Sequence, residues 1–151
     1  MSEYELFGPV DAVLRQNLTE EVLLIEAVLL GLVVVNMAAR AYAHRQHVSQ
    51  AEEGDDAISR HPFHVATNLL LVLGSFYFLT VQHHAGMVAS AITVTLLLTD
   101  FFEFESRKVE ARQDWDVERP WGSLAASGFA LAYIAYQTLF FLVRPFWSAI
   151  V

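Results

Sequence analysis

Four long apolar stretches alternate with short polar segments along the chain. They cover residues 22–43, 63–81, 85–102 and 121–143. A helix needs about 20 mainly apolar residues to cross the hydrocarbon core of a bilayer, and each stretch is close to that length. Backbone groups in lipid must be paired within their own segment, so such runs form helices rather than open strands. The pattern predicts an all-α fold, a bundle of four transmembrane helices in a single membrane domain of residues 1–151.

The segment before the first span predicts a short helix of its own. Val10, Val13 and Leu14 have helical spacing and fall on one face, which suits a helix lying at the membrane interface. Asn17 is followed three residues later by Glu20, a pattern that resembles a cap for the first spanning helix. The start of the chain is acidic where a signal peptide would be basic, so we expect the first span to be retained.

The distribution of basic residues predicts how the bundle is oriented. Short loops on the cytoplasmic side of a membrane carry an excess of Lys and Arg. Seven of the nine basic residues lie around the loops that follow the first and third spans. These residues are Arg40, Arg45, Arg60, Arg107, Lys108, Arg112 and Arg119. We therefore expect a multi-pass protein of the cell membrane with both termini outside.

Composition excludes several classes of function. Apolar residues make up 55% of the chain, above the 45–50% that is usual for soluble domains. There is no cysteine, so disulfides and thiolate metal sites are excluded. A net charge of −8 argues against binding nucleic acid, whose phosphates require an excess of Lys and Arg. The acidic balance, with Lys108 as the single lysine, also fits exposure to concentrated salt.

Small residues spaced four apart predict where helices approach each other. Lipid removes the hydrophobic drive for helix association, and close packing through small side chains replaces it. The first span carries Ala27 and Gly31, and the third carries Gly86 and Ser90. The fourth span carries three such pairs: Gly122/Ala126, Ser123/Ser127 and Gly128/Ala132. We expect the fourth span to contact two neighbours, one of which is another protein chain or a second copy of this one.

Two charged residues lie in or next to the predicted spans near the outer surface. Glu26 is about one turn into the first span, and Arg144 follows the end of the fourth. Charges in hydrocarbon cost a few kcal/mol each, so they are usually paired or functional. Their similar depth predicts a structural ion pair between Glu26 and Arg144. The alternatives are an Arg144 that extends to the interface beside a protonated Glu26, and a proton relay through Glu26.

Histidine and carboxylate side chains collect at the inner ends of the first three spans. Helical spacing places the members of each pair on one face, and an antiparallel bundle brings the pairs to one depth. Imidazole and carboxylate are ligands for Fe, Zn or Cu. The candidate metal ligands are His44, His47, His61, His64, Asp100 and Glu103. The same residues also suit the headgroup region without any metal, or a proton or ion relay. The sequence assigns no cofactor and no catalytic residue.

Three stretches carry a resemblance to a known family. They are residues 50–60, residues 64–77 and residues 99–105, which read QAEEGDDAISR, HVATNLLLVLGSFY and TDFFEFE. From about residue 20 onward the chain resembles an uncharacterised family of short four-span membrane proteins from halophilic archaea. The resemblance implies a salt-adapted protein and transfers no functional residue, because the function of that family is unknown.

The features together favour a non-enzymatic role. A small chain of spanning helices, with a smooth fourth span and no soluble domain, predicts an accessory or scaffold subunit of a larger membrane assembly. One alternative is a metal-binding oxidoreductase subunit that uses the inner His and carboxylate cluster. Another is a small oligomeric transporter or channel, with Glu26, Asn36, Asn68 and Gln137 lining a polar path. In each case the partners are the lipid bilayer and other membrane protein chains.

Overall fold

The computed structural model describes residues 7–151, which are mainly helical. It has five α-helices: α1 (Pro9–Leu14), α2 (Leu24–Ala51), α3 (Pro62–Val81), α4 (His83–Arg112) and α5 (Trp121–Ile150). The long helices α2 to α5 are each long and apolar enough to cross a membrane. This confirms the predicted all-α bundle of four long helices. The short helix α1 is also confirmed, whereas its position at a membrane interface stays a prediction.

The four long helices form a ring in chain order. Each packs against the next, and α5 closes the ring by packing against α2. A single residue, Gln82, separates α3 from α4, so these two helices are forced into an antiparallel pair. Glycine makes that contact close: a Cβ on Gly86 would come within 2.2 Å of the Leu79 backbone. The predicted close packing is therefore confirmed at Gly86, and Ser90 is also buried.

Three helices run beyond the spans predicted from the sequence. Helix α2 continues to Ala51, α4 to Arg112 and α5 to Ile150. The hydrophobic pattern ends where a helix leaves the apolar region, but backbone hydrogen bonding does not end with it. Helix α5 even passes Pro145, which lacks the N–H donor that a helix interior normally uses. The extension of α4 carries both acidic and basic residues between Glu103 and Arg112.

The start of α2 differs from the prediction. The helix begins at Leu24, and the carboxylate of Glu26 accepts a hydrogen bond of 2.8 Å from the backbone N–H of Leu23. The expected cap at Asn17 and Glu20 is wrong, because residues 16–24 form backbone-bonded turns before the helix begins. Helix α1 is attached to α3, because the hydroxyl of Tyr77 on α3 donates a hydrogen bond of 2.6 Å to Asp11 on α1.

The two ends of the bundle have different interiors. The half with the start of α2 and the turn between α3 and α4 encloses an apolar core, which we call the apolar half. Its fully buried side chains include Ile25, Leu29, Val33, Leu71 and Phe78. The other half contains the end of α2, the start of α3, the middle of α4 and the start of α5. Buried polar side chains gather there, so we call it the polar half.

Candidate functional site: a buried polar network

Arg40 is the centre of the polar half. It lies on α2 with 1% of its surface exposed. Its Nε donates to Oδ1 of Asp100 at 3.0 Å, and its Nη2 donates to Oδ2 at 2.7 Å. This two-pronged geometry matches the planar guanidinium to the carboxylate and is the strongest form of such a pair. Helices α2 and α4 face each other diagonally across the ring, so the pair spans the bundle interior.

The other donors of Arg40 are also engaged. Nη2 donates to the side-chain oxygen of Asn36 at 2.8 Å, one turn earlier on α2. Nη1 donates to the hydroxyl of Ser127 on α5. The Ser127 hydroxyl in turn donates to the backbone oxygen of Ser123 at 2.6 Å. A buried guanidinium is tolerated only when its charge and its donors are matched in this way.

Two asparagines connect α3 to the same cluster. The amide of Asn68 donates to Oδ2 of Asp100 at 2.9 Å. The amide of Asn36 donates to Asn68 at 2.6 Å and to Thr67 at 2.9 Å. We call Arg40, Asp100, Asn36, Asn68, Thr67 and Ser127 the Arg40 network. It takes side chains from all four long helices, and all six residues are buried.

A second polar contact lies closer to the end of the bundle. Arg107 on α4 has its Nη1 3.0 Å from Nδ1 of His47 on α2, and the His47 Nε2 is 3.0 Å from the backbone oxygen of Ser59. A guanidinium only donates and a carbonyl only accepts, so these partners assign the proton to Nε2 and leave Nδ1 as an acceptor. His47 is therefore held as a neutral imidazole that joins α2, α4 and the connection between α2 and α3.

Glu103 on α4 caps the N-terminal end of α5. Its carboxylate accepts from the backbone N–H of Ser123 at 3.1 Å and from the Ser123 hydroxyl at 2.5 Å. An anion at this position satisfies free N–H groups and faces the positive end of the helix dipole. Gly122 permits the approach, because a Cβ there would meet the Glu103 carboxylate at 2.7 Å.

The six candidate metal ligands are only partly brought together. His47, His61, His64 and Asp100 line one cavity of about 20 Å³, room for about one water molecule. Two guanidinium groups, from Arg60 and Arg107, line the same cavity and would oppose a cation. Glu103 caps α5 instead, and His44 lies apart on α2. Within residues 7–151, no three His, Asp or Glu side chains are placed to hold a metal ion.

Among the described residues, two of the six candidates, His44 and His64, have a buried ring nitrogen without a hydrogen-bond partner, and of these two only His64 lines the cavity. Its Nε2 is 3.4 Å from Oδ2 of Asp100, but the orientation does not make a hydrogen bond. His61 has a local role, because its Nδ1 faces the backbone N–H of His64 at 3.4 Å and caps the start of α3. The chemistry that the cluster can perform is therefore hydrogen bonding and charge pairing between helices.

The predicted ion pair between Glu26 and Arg144 does not form. The structure pairs Arg144 with Glu21 at 3.3 Å, in the exposed segment before α2. Glu26 is buried, and its carboxylate accepts from the Leu23 backbone while Gln82 lies 3.5 Å away. Glu26 and Arg144 do not pair despite their similar depth, because the Glu26 carboxylate is bonded to the backbone at the start of its own helix.

The predicted polar path is interrupted. Asn36 and Asn68 belong to the Arg40 network, whereas Glu26 and Gln137 line a separate pocket at the other end of the bundle. Asn36 and Glu26 are ten residues apart on α2, which is about 15 Å along a helix. The apolar core fills this interval, with Leu29, Val33 and Leu71 at most 1% exposed.

Sequence reasoning missed the importance of Arg40 and Ser127. Arg40 was used only as a basic residue that marks the cytoplasmic side, and Ser127 only as a small residue. One signal was available, because Arg40 lies within the apolar run of residues 22–43 and a charge there requires a partner. Asp100 is similarly placed near the end of the third run.

Comparison with known proteins gives a family and no function. Residues 2–151 match the family described as "Domain of unknown function (DUF7313)", and the chain belongs to this family. This confirms the expected family of unknown function, whereas the halophilic archaeal source stays a prediction. No curated protein matches the chain, and no solved structure matches it.

Proposed function

We propose that this member of a family of unknown function is a multi-pass membrane protein that acts as an accessory or scaffold subunit. In this proposal it associates with other membrane protein chains, or with a second copy of itself, through α5. The observation that carries the proposal is the poor enclosure of α5. Only 22% of its most apolar stretch is buried, against 39–44% in the other three long helices.

The outward face of α5 is suited to a neighbouring helix. Gly128 and Ala132 lie four residues apart on this face, and both are exposed. A Cβ added at Gly128 would meet nothing within 4 Å, so the backbone there is open to approach. Small residues at this spacing let two helices pack closely in lipid, where close packing replaces the hydrophobic effect.

The Arg40 network supports a structural role rather than transport or catalysis. Its donors and acceptors are matched to each other across four helices. The apolar core separates it from the polar pocket at Glu26. A rigid bundle of this kind presents a fixed outer surface, which is what a scaffold subunit requires.

Native mass spectrometry of natively purified protein in mild detergent tests the association. The proposal expects a complex heavier than one chain, and it expects Gly128→Leu to dissociate that complex without lowering the melting temperature. Gly31→Leu on α2 is the matched control, because a Cβ on Gly31 also meets nothing within 4 Å. A lone 17.0 kDa chain with no co-purifying protein would overturn the proposal.

The proposal also places both termini outside the cell membrane. The chain has no native cysteine, so single cysteines report accessibility directly. A membrane-impermeant maleimide is expected to label Val151→Cys in intact cells and Ser106→Cys only after lysis. The reverse pattern would show that the predicted orientation is inverted.

A further inference from the structure

Two cavities meet at Gly122, where α5 begins. One is a polar pocket of about 200 Å³ between the end of α4 and the start of α5. The other is an apolar groove of about 430 Å³ that runs along α4 and α5. Gly122 lines both cavities. A polar pocket at the helix ends therefore continues into an apolar groove along the helices.

The groove has a smooth and apolar wall. Ala91, Ala125 and Phe129 are among its lining residues. Thr95 and Thr99 also line it, but their hydroxyls donate to backbone oxygens one turn earlier, at 2.8 and 2.7 Å. With these hydroxyls engaged, the groove offers mainly carbon atoms and suits a hydrocarbon chain.

Most charged side chains in the polar pocket already have hydrogen-bond partners. Glu103 is bonded to Ser123, and Arg107 to His47. Glu110 accepts a hydrogen bond of 3.1 Å from the backbone N–H of Glu118. The side chains of Glu118 and Arg119 remain, since neither makes a hydrogen bond or ion pair with any residue in the part of the chain that the structure describes.

We propose that this composite site binds a membrane phospholipid. The acyl chain lies in the groove between α4 and α5, and the lipid phosphate faces Arg119. A hydrogen-bond donor at the end of the headgroup, either an ammonium or a hydroxyl, faces Glu118. Charge complementarity carries this assignment, because Glu118 accepts where the headgroup donates and Arg119 donates where the phosphate accepts.

The position of the site along the bundle fits a lipid. Trp121 lines the polar pocket and is 65% exposed. Tryptophan favours the level of the lipid headgroups, where its ring is apolar and its N–H meets water. The inference rests on the proposed crossing of a membrane, but it does not depend on association through α5.

Native mass spectrometry of the full chain in detergent tests headgroup recognition. The protein is titrated separately with phosphatidylethanolamine, phosphatidylglycerol and phosphatidylcholine that carry the same acyl chains. Phosphatidylcholine has the same phosphate but no hydrogen-bond donor. At least one of the two donor headgroups is expected to bind roughly tenfold more tightly than phosphatidylcholine. A preference for only one of them identifies the donor as ammonium or hydroxyl.

Substitutions separate the two parts of the site. Ala125→Phe fills the groove and is expected to weaken binding of all three lipids. Ala38→Phe is the matched control, since it is exposed at a similar height on α2, two residues before Arg40, and lies outside the groove. Arg119→Ala is expected to weaken all three lipids, whereas Glu118→Ala removes the preference over phosphatidylcholine.

Two results would overturn the proposal. One is equal binding of all three lipids to the native chain, and the other is equal binding to the Ala125→Phe and Ala38→Phe variants. If Ala125→Phe fails to fold, the exposed Glu118→Ala variant still decides the headgroup assignment. Gly128→Leu is expected to retain lipid binding, so failure of this inference is distinguishable from failure of the proposed association.

Discussion

The two halves of the bundle hold the same four helices together by different means. In the polar half, side chains from α2, α3, α4 and α5 meet in the Arg40 network. In the apolar half, the helices meet through tight packing, with Gly86 against the backbone of Leu79 and with Leu29 and Phe78 fully enclosed.

The difference shows what each kind of contact contributes in a bundle that spans a membrane, as proposed here for this chain. Apolar packing gains little from sequestration in lipid, so it depends on how closely surfaces fit. Hydrogen-bonded charges require particular partners, and they therefore select which helix faces which. The polar half specifies the arrangement of the ring, and the apolar half brings its helices close. The following predictions test this division, beginning with the largest effect.

Asp100→Leu is expected to be the most damaging single change. It leaves the Arg40 guanidinium buried without a counter-charge, and removal of one partner of a buried pair costs about 3–5 kcal/mol. Unfolding by dodecyl sulfate in mixed micelles measures the loss. Glu105→Leu is the control on the same helix, because Glu105 pairs with Arg60 at the surface and exposed pairs contribute about 1 kcal/mol or less. Equal losses for the two variants would contradict the account.

Gly86→Val tests the apolar half. The added side chain must push α3 and α4 apart, and overpacking of this kind costs about 1–3 kcal/mol. The same unfolding titration measures it. Gly31→Ala is the control, because open space surrounds Gly31 and alanine favours the helix. Tight packing would not hold this half together if Gly86→Val unfolded like the native chain.

Asn36→Leu tests the link between α2 and α3 in the network. It removes the hydrogen bonds to Asn68 and Thr67, and a polar contact between membrane helices contributes about 1–2 kcal/mol at most. Val34→Leu, an exposed change on the same helix, is expected to leave unfolding unaltered. Equal midpoints of unfolding by dodecyl sulfate for the two variants would show that the Asn36 hydrogen bonds do not stabilise the bundle.

Arg144→Gln is expected to have the smallest effect. Arg144 pairs with Glu21 at the surface, where their side chains are 66% and 49% exposed, so the change is about 0.5 kcal/mol or less. A double-mutant cycle checks the pairing. We expect the stability effect of Arg144→Gln to be coupled to that of Glu21→Gln and to be independent of Glu26→Gln. A coupling energy between Arg144→Gln and Glu26→Gln would instead support the ion pair predicted from the sequence.

The four long helices were predictable because long apolar runs follow a simple rule. A run of about 20 apolar residues must be helical, and each of the four runs obeyed it. The helix ends were not predictable from hydropathy, since α2 leaves the apolar region as a polar helix and α4 leaves it as a charged one. Close packing at Gly86 was anticipated from its spacing to Ser90, but the same spacing at Gly31 marks an exposed position.

The polar network was harder to predict, because partners are fixed by rotation about each helix axis. Asp100 was identified by residue type, yet it was assigned to a metal site with His64 rather than to Arg40. Depth alone suggested pairing Arg144 with Glu26. Only the packed helices show that Arg40 faces Asp100 and that Glu26 turns back to its own helix start.

The double variant Arg40→Met with Asp100→Leu tests the central claim most directly. If the pair mainly selects which helices face each other and adds little net stability, replacing both charges with apolar side chains removes the unmatched charge that damages each single variant. The account predicts that the double variant is more resistant to dodecyl sulfate than either single variant and stays close to the native chain. A loss equal to the sum of the two single losses would contradict it.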